Sequence, residues 1–178
     1  MVTDPPYGIN ADKGVGKYGR IRNYVERWDS EAADPTFIAA MGIPAVIWGG
    51  NYFTLPPSRN YFVWDKGEGF KGRDFAECEL AWCSFDANAR IFKYDPLANG
   101  DYRDKKHPTQ KPLALMKWVI TRLPGAILSV VDPYMGSGTT LVAAKDLGLI
   151  ATGIEIEERY CEIAANRLRQ SVFNFEVA

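Results

Sequence analysis

The sequence predicts an α/β protein built on a doubly wound, mostly parallel sheet with an antiparallel hairpin at one edge. Two observations carry this reading. Short apolar runs of strand length alternate with segments of helical period through most of the chain. One such run, Ala126 to Val131, passes directly into Asp132 and a glycine turn that opens a further helical segment, the kind of junction at which open α/β sheets bind ligands. No internal repeat or low-complexity linker interrupts the alternation, and 178 residues suit one domain around one core.

Taken in order, Asp34 is placed to cap a short helix running to Met41, which Gly42 and Pro44 end. Ala45 to Trp48 and Tyr61 to Trp64 read as buried strands. Leu80 to Ser84 and Arg90 to Tyr94 read as two strands joined at the turn residues Asp86 and Asn88, which makes them the edge hairpin. Behind Pro112, Leu113, Met116, Val119, Ile120 and Leu123 recur at helical spacing until Pro124-Gly125 stops the helix. After the strand Ala126 to Val131 come a helix from Thr140 to Leu147, closed by Gly148, and a strand from Ile150 to Ile154 that ends at Glu155. A last helix sets Tyr160, Ile163, Ala164 and Leu168 on one face. Ile9 to Asn23 and Lys66 to Arg73 are the least regular stretches, and Trp48, Trp64 and Trp82 read as core residues at strand positions.

Composition narrows the function. Cys78, Cys83 and Cys161 form no CxxC pair and His107 is the one histidine, so neither a metal site nor a disulfide framework is expected. Apolar runs fall short of a membrane span and no charged-then-apolar leader opens the chain, so a cytoplasmic protein without membrane contact is expected. A formal charge of −1 is not that of a sequence-blind nucleic-acid binder, which leaves a local patch as the route to such a partner. Lys13, Lys17, Arg20, Arg22 and Arg27 stand against Glu26 alone, interleaved with Tyr18 and Tyr24 in a glycine-bearing loop suited to a phosphate backbone. A second cluster, Arg103, Lys105, Lys106 and His107, is diluted by Asp101 and Asp104.

Two constellations carry chemistry. In Asp4-Pro5-Pro6-Tyr7, proline fixes φ near −65° and removes a backbone donor, leaving the carbonyls of Asp4 and Pro5 free to accept. Tyr7 sets a flat face beside them, and an exocyclic amine needs in-plane acceptors and an aromatic surface against its ring. The second constellation is the strand, Gly136-Ser137-Gly138 turn, helix, strand and terminal acid, with Glu155 following Asp132 by 23 positions. That is close to the spacing of about 20 at which an acid meets ribose hydroxyls. The phosphate-cradling GxxxxGK[ST] pattern is absent, and Leu141 stands where a dinucleotide fold takes its third glycine. A nucleoside-type cofactor with a charged amino-acid tail fits better.

Together these segments resemble the S-adenosylmethionine-dependent amino-methyltransferases of DNA, in the permuted subgroup whose catalytic segment precedes the cofactor segment. The resemblance covers nearly the whole chain. It is carried by Asp4 to Gly8, Trp48-Gly49-Gly50-Asn51, the strand ending in Trp64-Asp65-Lys66, His107 to Pro112, Asp132 to Thr140, and Gly153-Ile154-Glu155. It implies a Rossmann-like methyltransferase sheet in a single domain, residues 1–178, with a catalytic and DNA-facing half (1–104) and a cofactor-binding half (105–178). It also implies that Asp4 and the Pro5 carbonyl, with Pro6 between them and Tyr7, hold the target amine while Tyr7 stacks on the flipped base. Asp132, Tyr134, Gly136, Ser137, Gly138 and Thr139 are then expected to line S-adenosylmethionine, Glu155 to bind its ribose, and Lys111 with Pro112 to close over its methionine end. Tyr134 departs from the phenylalanine usual there and keeps the aromatic ring. The implied partner is double-stranded DNA, contacted by Lys13, Lys17, Arg20 and Arg22, in a bacterial or phage-encoded protein whose oligomeric state, homodimer included, stays open.

In this family Asp before Pro-Pro-Tyr leans toward adenine N6, with cytosine N4 as the alternative and an inactive cofactor- or DNA-binding remnant as the third reading. A sulfonium is a good leaving group, so alignment and an acceptor for the amine suffice without a histidine base or cysteine nucleophile. Flipping the base costs a few kcal/mol that stacking on Tyr7 helps to offset. Only about 50 residues separate the Trp48 and His107 segments, too few for a recognition domain, so short or relaxed target recognition is expected. Met1-Val2-Thr3 are too few for the central strand that leads into the catalytic segment, since strands usually take about five or six residues. The expectation is a chain truncated at its N-terminus relative to an active enzyme, lacking N-terminal strands.

Overall fold

Strand β1 (Val2–Thr3) is where the two halves of the molecule meet in the computed structural model, which describes residues 1–9, 29–101 and 110–169. The three residues ahead of Asp4, expected to be too few for a strand, do form one. It is two residues long, fully buried, and pairs in parallel with β2 (Val46–Trp48) through Val2↔Val46 and Thr3↔Ile47. So short a strand holds because it is flanked on both sides, by β2 and by β6 (Ser129–Asp132), and because the Met1 ammonium donates to the Pro44 carbonyl at 2.6 Å.

Five strands form one ladder in the order β1-β2-β4-β3-β5, with β3 at Tyr61–Asp65, β4 at Cys78–Cys83 and β5 at Arg90–Lys93. β4 is antiparallel to both β2 and β3, whereas β1 pairs with β2 and β3 with β5 in parallel, so β4 is the one reversed strand of the five. The expected hairpin is therefore not formed: β3 lies between β4 and β5. The residues expected to turn it instead clamp Arg59 just ahead of β3, through an ion pair with Asp86 and a 3.2 Å bond to Asn88. Asn60 adds a bond to the Phe85 carbonyl at 3.2 Å. The connection thereby crosses the end of β3 and places β5 on its far side.

Side chains alternate across this sheet as strand geometry requires. Val46 and Trp48, Phe62 and Trp64, and Ala81 and Cys83 face α2 (Leu113–Ile120), which contributes Leu115, Met116, Val119 and Ile120 to the larger core. Ile47 and Trp82 face the opposite side, where Ile38 of α1 (Thr36–Ala40) covers them. Each buried Val, Leu, Ile, Phe or Met side chain here contributes about 1.5–3 kcal/mol. Helix α1 begins one residue later than a cap at Asp34 implies, with Pro35 at its N-cap. Asp34 Oδ1 accepts from the Thr36 amide and hydroxyl instead of capping as its neighbour, and Pro35 intervenes.

The second ladder pairs β6 with β7 (Ile150–Gly153) in parallel, from Ser129↔Ile150 to Asp132↔Gly153. Helix α3 (Thr139–Asp146) crosses between them and packs on α2, while α4 (Glu158–Arg169) packs on α3. This is the expected strand–turn–helix–strand unit. Among the described residues, no helix is long and apolar enough to cross a membrane.

Candidate active site

The reversed direction of β4 decides what gathers at one end of the sheet. β1 leads into Asp4, β2 into Gly49 and β3 into Lys66, and the antiparallel register Trp64↔Glu79 brings the beginning of β4 to that same end. Lys111, two residues ahead of α2, reaches into this group: its Nζ lies 2.5 Å from Asp4 Oδ2, 3.0 Å from Glu79 Oε2 and 3.3 Å from the Tyr7 hydroxyl. Lys66 Nζ lies 2.7 Å from the other oxygen of Glu79. Two carboxylates and two ammoniums thus balance one another, with Lys111 and Lys66 only 6% and 7% exposed. Each would be costly by several kcal/mol if left unpaired.

Their protonation follows from this crowding. Burial pushes the Asp4 carboxyl above its ordinary value, and Lys111 opposes the push. Burial acts likewise on Glu79, yet Lys111 and Lys66 outweigh it and hold that carboxyl at about 2. Burial alone would lower Lys111, and Asp4 and Glu79 more than restore it. The Tyr7 hydroxyl is pushed well above its ordinary value by burial and then by Asp4, so it stays protonated and donates to Asp4 Oδ1 at 2.5 Å.

Tyr7 is held from several directions. Asp29 Oδ1 accepts from the amides of Tyr7 and Gly8 at 2.8 and 2.9 Å, and the Pro6 carbonyl accepts from the Ala33 amide at 3.0 Å. The Tyr7 ring stacks on Tyr52 at 4.9 Å and 13° and meets the edge of Phe53. Gly49, at φ 71°, leaves room for that ring.

On the β6 side, buried Asp132 accepts through Oδ1 from the Thr3 hydroxyl at 2.7 Å and the Tyr134 amide at 3.1 Å. Burial pushes its carboxyl up to about 6. Gly136 and Gly138 take φ 50° and 79°, and a β-carbon on Gly138 would lie 2.7 Å from that of Ala164 on α4. Glu155, after β7, accepts from the Gly136 amide through Oε2 and the Glu157 amide through Oε1, both at 2.9 Å, so it shapes the turn from behind. Arg167 of α4 donates to the Ser137 carbonyl at 2.6 Å and to the Thr139 hydroxyl at 3.1 Å.

A small pocket, open to solvent, joins the two constellations. Of the expected residues Asp4, Lys111, Asp132, Tyr134, Gly136, Ser137 and Thr139 line it, joined by Gln110, Met116, Met135 and Thr140. Pro5, Pro6, Tyr7, Gly138 and Glu155 are not among its lining residues. Lys111, expected over a methionine tail, lines this pocket and is paired with Asp4 and Glu79. Glu79, Tyr52, Asp29 and Arg167 had no role in the sequence reading, and Lys66 entered it as the end of a strand that carried the resemblance. For Glu79 the available signal is a carboxylate inside the otherwise apolar run Cys78 to Cys83. Lys13, Lys17, Arg20 and Arg22, together with His107 and its basic neighbours, lie outside the described residues.

The family model described as DNA methylase, N6_N4_Mtase, matches residues 47–166. The chain belongs to this N6/N4 DNA methylase family. Among individual relatives it is 46% identical over 63 residues to the type II methyltransferase M2.DpnII of Streptococcus pneumoniae, a match covering 35% of this chain and 24% of that protein. It is 43% identical over 65 residues to the type II methyltransferase M2.LlaDCHI of Lactococcus lactis subsp. cremoris, covering 36% of this chain and 24% of that one. The matched segment thus spans about a quarter of each relative's length. The crystal structure of the M1.HpyAVI–SAM complex is similar in fold, with a TM-score of 0.53 at 24% identity over 93% of this chain and 86% of that one. The sheet described above is accordingly an α/β, Rossmann-like methyltransferase fold.

Proposed function

We propose that this protein transfers a methyl group from S-adenosylmethionine to an exocyclic amine in DNA, with adenine N6 as the acceptor. The observation that carries the reading is the shared pocket, in which Asp4 faces the same space as Asp132 and the turn from Gly136 to Thr139. The residues suit the cofactor. Asp132 offers a carboxylate to an ammonium, Ser137 and Thr139 offer hydroxyls, and the bare backbone at Gly136 admits close approach. Glu155 already holds two amides, but each carboxylate oxygen has two lone pairs, so a ribose contact is compatible with its position. When bound, S-adenosylmethionine supplies an electrophilic methyl on a sulfonium that leaves readily.

The chain's own residues then have to orient the amine. Asp4 accepts one amine N–H, which turns the nitrogen lone pair outward and stabilises the positive charge that develops on it. Tyr7 fixes the Asp4 carboxylate through its hydroxyl, and the stacked pair of Tyr7 and Tyr52 is the proposed aromatic flank for the extruded base. The basic segment from Lys13 to Arg27, adjacent in sequence to Tyr7, is the proposed contact to the phosphate backbone.

The test is incubation with methyl-labelled S-adenosylmethionine and unmethylated genomic DNA, followed by digestion to nucleosides. Label in N6-methyl-2′-deoxyadenosine is expected. Label in N4-methyl-2′-deoxycytidine overturns the choice of base, and unlabelled DNA overturns the activity.

A further inference from the structure

In this structure the seat proposed for the substrate amine is already taken. Lys111 Nζ sits 2.5 Å from Asp4 Oδ2, the acceptor that the amine needs. An ammonium that remained there would compete with the substrate. Glu79 offers that ammonium a second carboxylate, 3.0 Å away and ionised, without any large movement of the side chain. Lys66, on the other oxygen of Glu79, keeps the four-charge group neutral and prevents Glu79 from holding Lys111 exclusively.

We propose that Glu79 is a positioning residue of the transfer reaction: it takes over the Lys111 ammonium when the target amine displaces it from Asp4. This rests on the methyl-transfer reading above. The geometry favours exchange over a static bridge, because one ammonium lies within ion-pair distance of both carboxylates and each carboxylate has a second partner of its own. Lys111 is thus a placeholder that keeps buried Asp4 ionised until substrate arrives, and Glu79 is where it goes.

The charged and titratable groups facing Asp4 are Lys111 ahead of α2, Glu79 on β4, Tyr7 on its own segment and Asp132 on β6, with Lys66 behind Glu79. Glu79→Gln removes a negative neighbour and leaves Lys111 with Asp4 alone. The expected result is a KM for genomic DNA raised at least about 10-fold, with the acid limb of the kcat/KM–pH profile, which reports the free enzyme, moved to lower pH. Glu79→Asp, which keeps the charge, recovers most of the loss. Lys66→Met acts in the opposite sense: Glu79 is freed to draw Lys111 away, and the acid limb moves to higher pH. A Glu79→Gln protein that folds, as judged by thermal melting, and keeps the wild-type KM and pH limb overturns the proposal. Should that variant not fold, an unmoved limb in Lys66→Met overturns it equally. A wild type that transfers no label refutes the methyl-transfer reading itself, whereas an active wild type with unaltered variants refutes only the exchange.

Discussion

A β-carbon on Gly49 would lie 2.1 Å from Cε1 of Tyr7, so the bare backbone at the end of β2 is the surface against which the Tyr7 ring rests. Gly49 also takes φ 71°, a region L side chains rarely adopt. Gly49→Ala is therefore expected to displace Tyr7, to lower methyl transfer by more than about 10-fold and to destabilise the fold by about 1–3 kcal/mol. Urea denaturation and a turnover assay check both parts. A variant with wild-type turnover would show that the ring position is unimportant.

Asp4→Ala is expected to reduce methyl transfer by at least about 100-fold while cofactor affinity stays within a few-fold of wild type, because the lost acceptor acts mainly in the transition state. Glu79 remains to hold Lys111, which limits the damage to the fold. Single-turnover kinetics beside calorimetric titration separates the two effects. Equal loss of binding and rate would remove Asp4 from the role assigned to it.

Glu155→Ala should do the reverse. The Gly136 amide loses a charged acceptor and the turn loses its backing, so cofactor affinity is expected to fall about 10-fold or more. Calorimetry giving the wild-type dissociation constant would refute this.

Asp132 sets a pH dependence of stability. Its carboxyl rises from 3.8 to about 6 on folding, burial being the chief cause. The folded state therefore binds the proton more tightly, and this contribution is complete below about 4 and is lost as pH rises through about 6. Asp132→Asn cannot ionise. Relative to wild type it should gain about 2–3 kcal/mol between pH 4 and pH 7. Chemical denaturation of both proteins across that window measures the difference, and parallel curves would contradict the raised carboxyl.

Charge reversal at Arg20 and Arg22 is expected to weaken DNA binding and flatten its salt dependence, since fewer counterions are released. The same slope of log K against log salt in the double variant would return this segment to an ordinary solvated loop.

The sequence alone determined the order of elements in the cofactor unit and the identity of its turn. Asp132, Gly136, Gly138 and Glu155 are legible as one turn because a strand-to-helix junction needs particular backbone conformations and amide acceptors along one continuous stretch. The tryptophans at strand positions were legible for a similar local reason, and all three are buried. What sequence reading could not reach depends on which strands become neighbours. The segment around Asp86 and Asn88 has the composition of a hairpin turn, yet Arg59 captures it and β3 enters between β4 and β5. Val2 and Thr3 are too few to propagate a strand alone, and they form one because β2 and β6 already flank them. The pairing of Asp4 with Lys111 spans 107 positions, and Glu79 joins it only because β4 runs backward between two forward strands. Local periodicity reports the conformation of a segment and the face it buries, whereas a charge cluster drawn from three strands and a loop is set by sheet order and direction. Those are decided by packing of the whole core, and only the tertiary structure shows them.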